Sequence, residues 1–137
     1  MRLHMLALAL GAAACAQSPQ DAARTAGAAD KVRAGLEREL AGLVPGPPQT
    51  CLDPSQRDAR GVKAFGDTLV FSGPGRVRYV TVAPGCDRVG FSDYLITQTP
   101  MSRLCKGDIG QAVDRTANIQ TGGCSMSDFT PYRPASR

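Results

Sequence analysis

The chain has 137 residues, 16 Lys plus Arg against 12 Asp plus Glu, and a formal net charge of +4. That charge is weak and dispersed, with no run of Lys or Arg, which argues against a nucleic-acid partner. The only histidine is His4 and tryptophan is absent, so the rest of the chain cannot assemble a Ser-His-Asp triad, a Cys-His dyad or a His-ligated metal site.

The first segment reads as an export signal. Arg2 supplies a positive charge near the start, and Met5 to Ala16 follows as an uncharged stretch rich in Leu and Ala. It is too short to cross a bilayer core, which takes ~20 residues of helix. Ala12-Ala13-Ala14-Cys15 resembles a bacterial lipobox, with Ala12 where Leu is usual, and makes Cys15 the expected lipidation site. Ala14-Cys15-Ala16 also fits an ordinary signal-peptidase site. Either cleavage leaves four cysteines, an even number that can pair completely. Ala16 after the cysteine, where Asp would resemble an inner-membrane retention signal, favours the outer membrane. The expected organisation is signal peptide over 1–15, helical spacer and Pro-rich linker over 16–50, a β domain over 51–132, and a tail over 133–137.

Ser18-Pro19-Gln20-Asp21 reads as a helix start, with Ser18 as N-cap, Pro19 in the first turn and Asp21 completing a capping box. Ala29, Val32, Leu36, Leu40 and Leu43 recur at helical spacing, with Asp30, Lys31, Arg38 and Glu39 on the opposite side. This helix is either a spacer or a partner-binding surface. Pro45, Pro47 and Pro48 end it and favour an extended linker, which sets the domain boundary here.

The remainder reads as short strands. Gly61–Phe65 and Thr68–Phe71 flank a tight Gly66-Asp67 turn, and Ser72-Gly73-Pro74-Gly75 is the next corner. Arg76–Val82 is the clearest strand, with Val77, Tyr79 and Thr81 on one face and Arg76, Arg78, Val80 and Val82 on the other. The change from Arg to Val on that face predicts a strand that becomes covered, or a bulge. Tyr94–Thr97 follows, and 109–113 with 118–121 form a hairpin. Strands at this spacing predict a mostly β fold: a small, partly open barrel of five or six strands, of oligonucleotide/oligosaccharide-binding type.

Cys51, Cys86, Cys105 and Cys124 include no C-x-x-C pair, which argues against a zinc ribbon or a thioredoxin-like site. Two structural disulfides are expected in an exported domain of this size. Of the three possible pairings, Cys51–Cys124 with Cys86–Cys105 would join the domain ends and staple the central loop.

The run from Cys51 to Phe129 resembles an uncharacterised proteobacterial family of small exported proteins, domain-of-unknown-function family 6491. The likeness is carried by Cys51, Phe65–Phe71, Gly85-Cys86, Leu104–Ile109 and Gly123–Phe129. It implies export and a cysteine-paired β domain, and it supplies no activity.

Few residues point to chemistry. Arg76 and Arg78 share a strand face and could bind an anionic glycan or headgroup, or simply be solvated. Lys106 and Asp108 could present a charged pair, or form a strand-entry turn with Gly107 supplying positive φ. Asp87, Asp93, Asp108 and Asp128 lack the dense spacing of a calcium loop. Ser92 and Ser125 have no histidine base, and Tyr79, Phe91, Tyr94 and Phe129 read as core. No cofactor or metal is expected. The resulting expectation is a non-enzymatic envelope lipoprotein in the periplasm, membrane-anchored through Cys15, with an envelope protein or glycan as partner. The alternative is a periplasmic module that binds a small ligand or glycan around Arg76 and Arg78.

Overall fold

The computed structural model describes residues 18–57 and 61–136. The export signal and Cys15 lie outside the described residues. Helix α1 (Pro19–Glu39) begins as its sequence implies: the Ser18 Oγ accepts from the Asp21 backbone N–H at 3.2 Å and donates to the Asp21 carboxylate at 2.7 Å. The helix ends near Gly42, whose φ of +74° suits a residue without Cβ.

Ten short strands follow among the described residues: β1 (Leu43–Pro45), β2 (Cys51–Leu52), β3 (Val62–Phe65), β4 (Thr68–Ser72), β5 (Arg78–Val82), β6 (Asp93–Gln98), β7 (Leu104–Cys105), β8 (Ile109–Asp114), β9 (Gln120–Ser125) and β10 (Thr130–Pro134). They form a five-stranded sheet β1-β10-β5-β4-β3, a three-stranded sheet β6-β8-β9 and a two-stranded ladder β2-β7, with every pair antiparallel. The expected β3–β4 and β8–β9 hairpins are present. The expected partly open barrel of five or six strands is not, because the strands form three separate sheets that do not join into a barrel. The edge of β3 that would have to meet β6 is used differently: the Ala64 N–H donates to the carbonyl of the single residue Val89 at 2.8 Å, and β6 pairs only with β8.

One core lies between the two larger sheets. Ala64, Leu69, Phe71 and Tyr79 from one meet Ala112 and Cys124 from the other and Met126 just beyond β9. Leu52 and Leu104, directly opposite on β2 and β7, fill the same cluster with Val89 and Phe129. Phe129 meets Phe71 edge-on at 6.0 Å. The buried Thr81 hydroxyl is satisfied by donating to the Ser127 carbonyl and accepting from the Ser127 N–H, both at 3.1 Å.

The expected boundary at the prolines is corrected. Leu43–Pro45 is an edge strand, paired with β10 through Leu43↔Pro134 and Pro45↔Tyr132, so the 133–137 segment is also partly in the sheet. Proline is tolerated at an edge, where a missing donor faces no ladder partner. Pro131 lies inside β10, but its carbonyl accepts from Gly46 at 2.7 Å on the β1 side, so its absent N–H faces that Pro-rich stretch. The helix is fastened as well. Leu69, Val70 and Phe71 are all buried, so both faces of β4 are covered. The outer face, which carries Val70, lies under the last turns of α1, where Leu36 and Leu40 are half-buried. Glu39, expected outside the globular part, bonds Arg78 on β5 and Lys63 on β3. On β5 the covered end is therefore the arginine end, Val82 is exposed, and no bulge interrupts the β4–β5 register.

The disulfide pairing is corrected too. Cys51 bonds Cys105, and Cys86 bonds Cys124. Cys51 and Cys105 are direct partners in the β2–β7 register. Cys86 reaches Cys124 because two glycine backbones cross beside it: a Cβ on Gly122 would lie 2.1 Å from the Gly85 carbonyl oxygen. Only residues without side chains permit that approach.

Candidate functional site

The four charged residues singled out by the sequence do not gather at one place. Arg76 is exposed, and its Nη2 donates to the Ala41 carbonyl at 3.4 Å. Arg78 is largely covered: its Nε donates to Glu39 at 2.8 Å and its Nη1 to the Val77 carbonyl at 3.0 Å. Its guanidinium is thus engaged inside the protein. Glu39 is pushed up by burial, but the bonds from Arg78 and Lys63 outweigh this and hold its carboxyl below the ordinary 4.5.

Lys106 pairs with Asp128 at 2.7 Å on the surface. Asp108 closes a turn beside the Cys51–Cys105 disulfide: its carboxylate accepts from the Cys105 N–H at 2.7 Å, and Gly107 between them has φ +87°. Among the described residues, no three acidic, cysteine or histidine side chains gather in a metal-binding group.

Asp93, one of the four Asp residues whose spacing argues against a calcium loop, is fully buried. Ser92 donates to one carboxylate oxygen and Thr121 to the other, and Arg88 approaches at 3.6 Å. The two hydroxyl bonds hold the carboxyl below its ordinary value of 3.8. Arg88 also reaches Asp114, whose carboxylate accepts from the Thr116 and Ala117 N–H groups at 2.8 Å each. These bonds tie the loop before β6 to the β8–β9 hairpin. With both Asp93 oxygens accepting hydroxyl bonds, the cluster serves to hold the loop in place.

That loop carries the residue the sequence reading missed. Phe91, expected in the core, is 72% exposed. It stands at the tip of the 88–93 turn, where its N–H donates to the Arg88 carbonyl at 3.2 Å. Across from it lies the C-terminal half of α1, and between them is a groove of about 440 Å³. Phe65, Ala64 and Gly66 line the groove from the β3–β4 hairpin, Val32 and Gly35 from the helix, and Phe91 forms its outer wall. A Cβ on Gly35 would sit 3.1 Å from the Phe65 ring, so the glycine makes room for that ring against the helix. Lys31 and Arg38 stand on the helix rim, and Asp87 on the loop side. A second recess of about 350 Å³ continues from it towards Glu39 and Lys63. The signal in the sequence was weak: Gly90-Phe91-Ser92 is a turn, and a turn can present an aromatic outward as easily as bury it.

The chain matches no family model, no curated protein and no solved structure.

Proposed function

We propose that the protein is an exported cell-envelope lipoprotein, held at the outer membrane by lipidated Cys15. Its β domain works by contact with another envelope component rather than by catalysis. The observation that best supports export is the state of the cysteines. All four in the described residues are joined in two disulfides, and Cys86–Cys124 is inside the core. Such bonds form and persist in oxidising compartments, which agrees with an export signal before Ser18.

The helix suits a stem. It starts four residues after Cys15, and its first turns are exposed along their length. At 1.5 Å per residue its 21 residues extend ~31 Å. A lipid on Cys15 would therefore sit near the free end, with the other end fastened to the sheet. The rival reading, a glycan module centred on Arg76 and Arg78, has less support because Glu39 engages Arg78.

The test is the intact mass of the native protein extracted from membranes, before and after reduction and alkylation. A lipid-sized addition on a chain starting at Cys15, with four thiols appearing only on reduction, is expected. An unlipidated chain starting at Gln17 would overturn the anchor, and four thiols free without reduction would overturn the compartment.

A further inference from the structure

We propose that the groove between α1 and the β3–β4 hairpin binds a single-chain fatty-acid anion. Its tail would lie on Phe65, Val32 and Phe91, and its carboxylate between Lys31 and Arg38. This site does not depend on whether Cys15 is lipidated.

Three observations converge on that ligand. The lining is apolar, built from Phe65, Phe91 and Val32, with Gly35 packed against the Phe65 ring and Gly66 against Val32. Phe91 presents its ring to solvent at the groove's edge, although burying a large aromatic is ordinarily favourable. A chain lying in the groove would cover it. The size, about 440 Å³, falls in the range of small-molecule sites.

Charge chooses the head group. Lys31, Gly35 and Arg38 are spaced i, i+4, i+7, so they lie on one stripe of the helix beside the groove. Neither Lys31 nor Arg38 is paired with an acid of the described residues. Of the two acids nearby, Glu39 is engaged by Arg78 and Lys63, which leaves Asp87 alone on the opposite wall. The rim is therefore net positive, and an anion gains where a neutral or cationic head does not.

Titration calorimetry of the full processed chain with decanoate, and with 1-decanol as the uncharged probe of equal chain length, tests this. Decanoate is expected to bind one to one, at least ~10-fold tighter than decanol, with a Kd on the order of 0.1 mM. Lys31→Glu with Arg38→Glu should weaken decanoate ~10-fold or more and leave decanol unchanged. Phe91→Ser should weaken both probes. All three substitutions are at exposed positions, so melting temperatures should stay close to the parent's. Equal affinity for both probes, or a charge reversal without effect on decanoate, would overturn the anionic head group. No decanoate binding at millimolar concentration would overturn the site. Binding confined to phosphatidylglycerol vesicles, with none to free decanoate, would overturn it in favour of a membrane-contact surface.

Discussion

Replacing Gly122 with alanine should cost this protein more than its one added methyl suggests. A Cβ at that position sits 2.1 Å from the Gly85 carbonyl oxygen, where a carbon and a carbonyl oxygen ordinarily approach no closer than ~3.3 Å. The two backbones would have to part by ~1.2 Å. Neither can yield by a rotamer change, because both contacting groups are main chain, and the buried Cys86–Cys124 bond holds the crossing together. Overpacking a core typically costs 1–3 kcal/mol, and main-chain contact places this case at ~3 kcal/mol or above. At ~4–8 °C per kcal/mol for a domain of this size, the melting temperature should fall by ~12–24 °C. Gly122 is not in the left-handed region, so the effect is steric alone. Two other glycines separate the alternatives. Gly107 has φ +87° with open space around its Cβ position, so Gly107→Ala should cost only the conformational strain, ~1–2 kcal/mol. Gly27 lies within α1 with nothing nearby, so Gly27→Ala should stabilise the helix by up to ~1 kcal/mol. Thermal melts of the oxidised proteins, followed by circular dichroism, give the order. A Gly122→Ala protein that melts with the parent, or no lower than Gly107→Ala, would refute the close crossing.

Non-reducing digestion and mass spectrometry should recover peptides linked Cys51–Cys105 and Cys86–Cys124. Their sequence separations of 54 and 38 predict that removing either bond alone costs ~4 kcal/mol in denaturant titrations. Glu39→Gln should cost ~1 kcal/mol near neutral pH by loosening α1 from the sheet. Because the folded carboxyl titrates below 4.5, that contribution is present above about pH 4.5 and lost as pH falls through the lower folded value. The gap between parent and variant should thus narrow as the pH is lowered below 4.5, and a gap that does not change with acid would count against the pairing with Arg78. Asp93→Ala should lower the melting temperature further than Glu39→Gln, because it empties the place of a fully buried carboxylate and removes the bonds from Ser92 and Thr121 that fasten the loop; equal melting would mean that the buried carboxylate holds nothing.

Local signals in the sequence determined much of this protein. Ser18, Pro19 and Asp21 announced the helix start because capping needs only neighbours. Gly66-Asp67 and the alternation through Tyr79 and Thr81 announced hairpins and a strand because a pleat has a period of two. Four cysteines without a C-x-x-C announced two disulfides. Tertiary structure decided what depended on distant partners. Pro45, Pro47 and Pro48 read as breakers that set a domain boundary, yet β1 and β10 pair because one is an edge strand and Pro131 turns its donor-less side towards it. Glu39 looked solvated until the sheet set Arg78 and Lys63 beneath it. The disulfide partners followed from β2–β7 register and from the crossing of Gly85 over Gly122. The crossing had a trace in Gly85-Cys86 and Gly122-Gly123-Cys124, but glycines beside cysteines do not say which cysteine they admit. The groove arose in the same way. Val32, Gly35, Phe65 and Phe91 have no common period along the chain, and only the packing of α1 across the sheet brings them together.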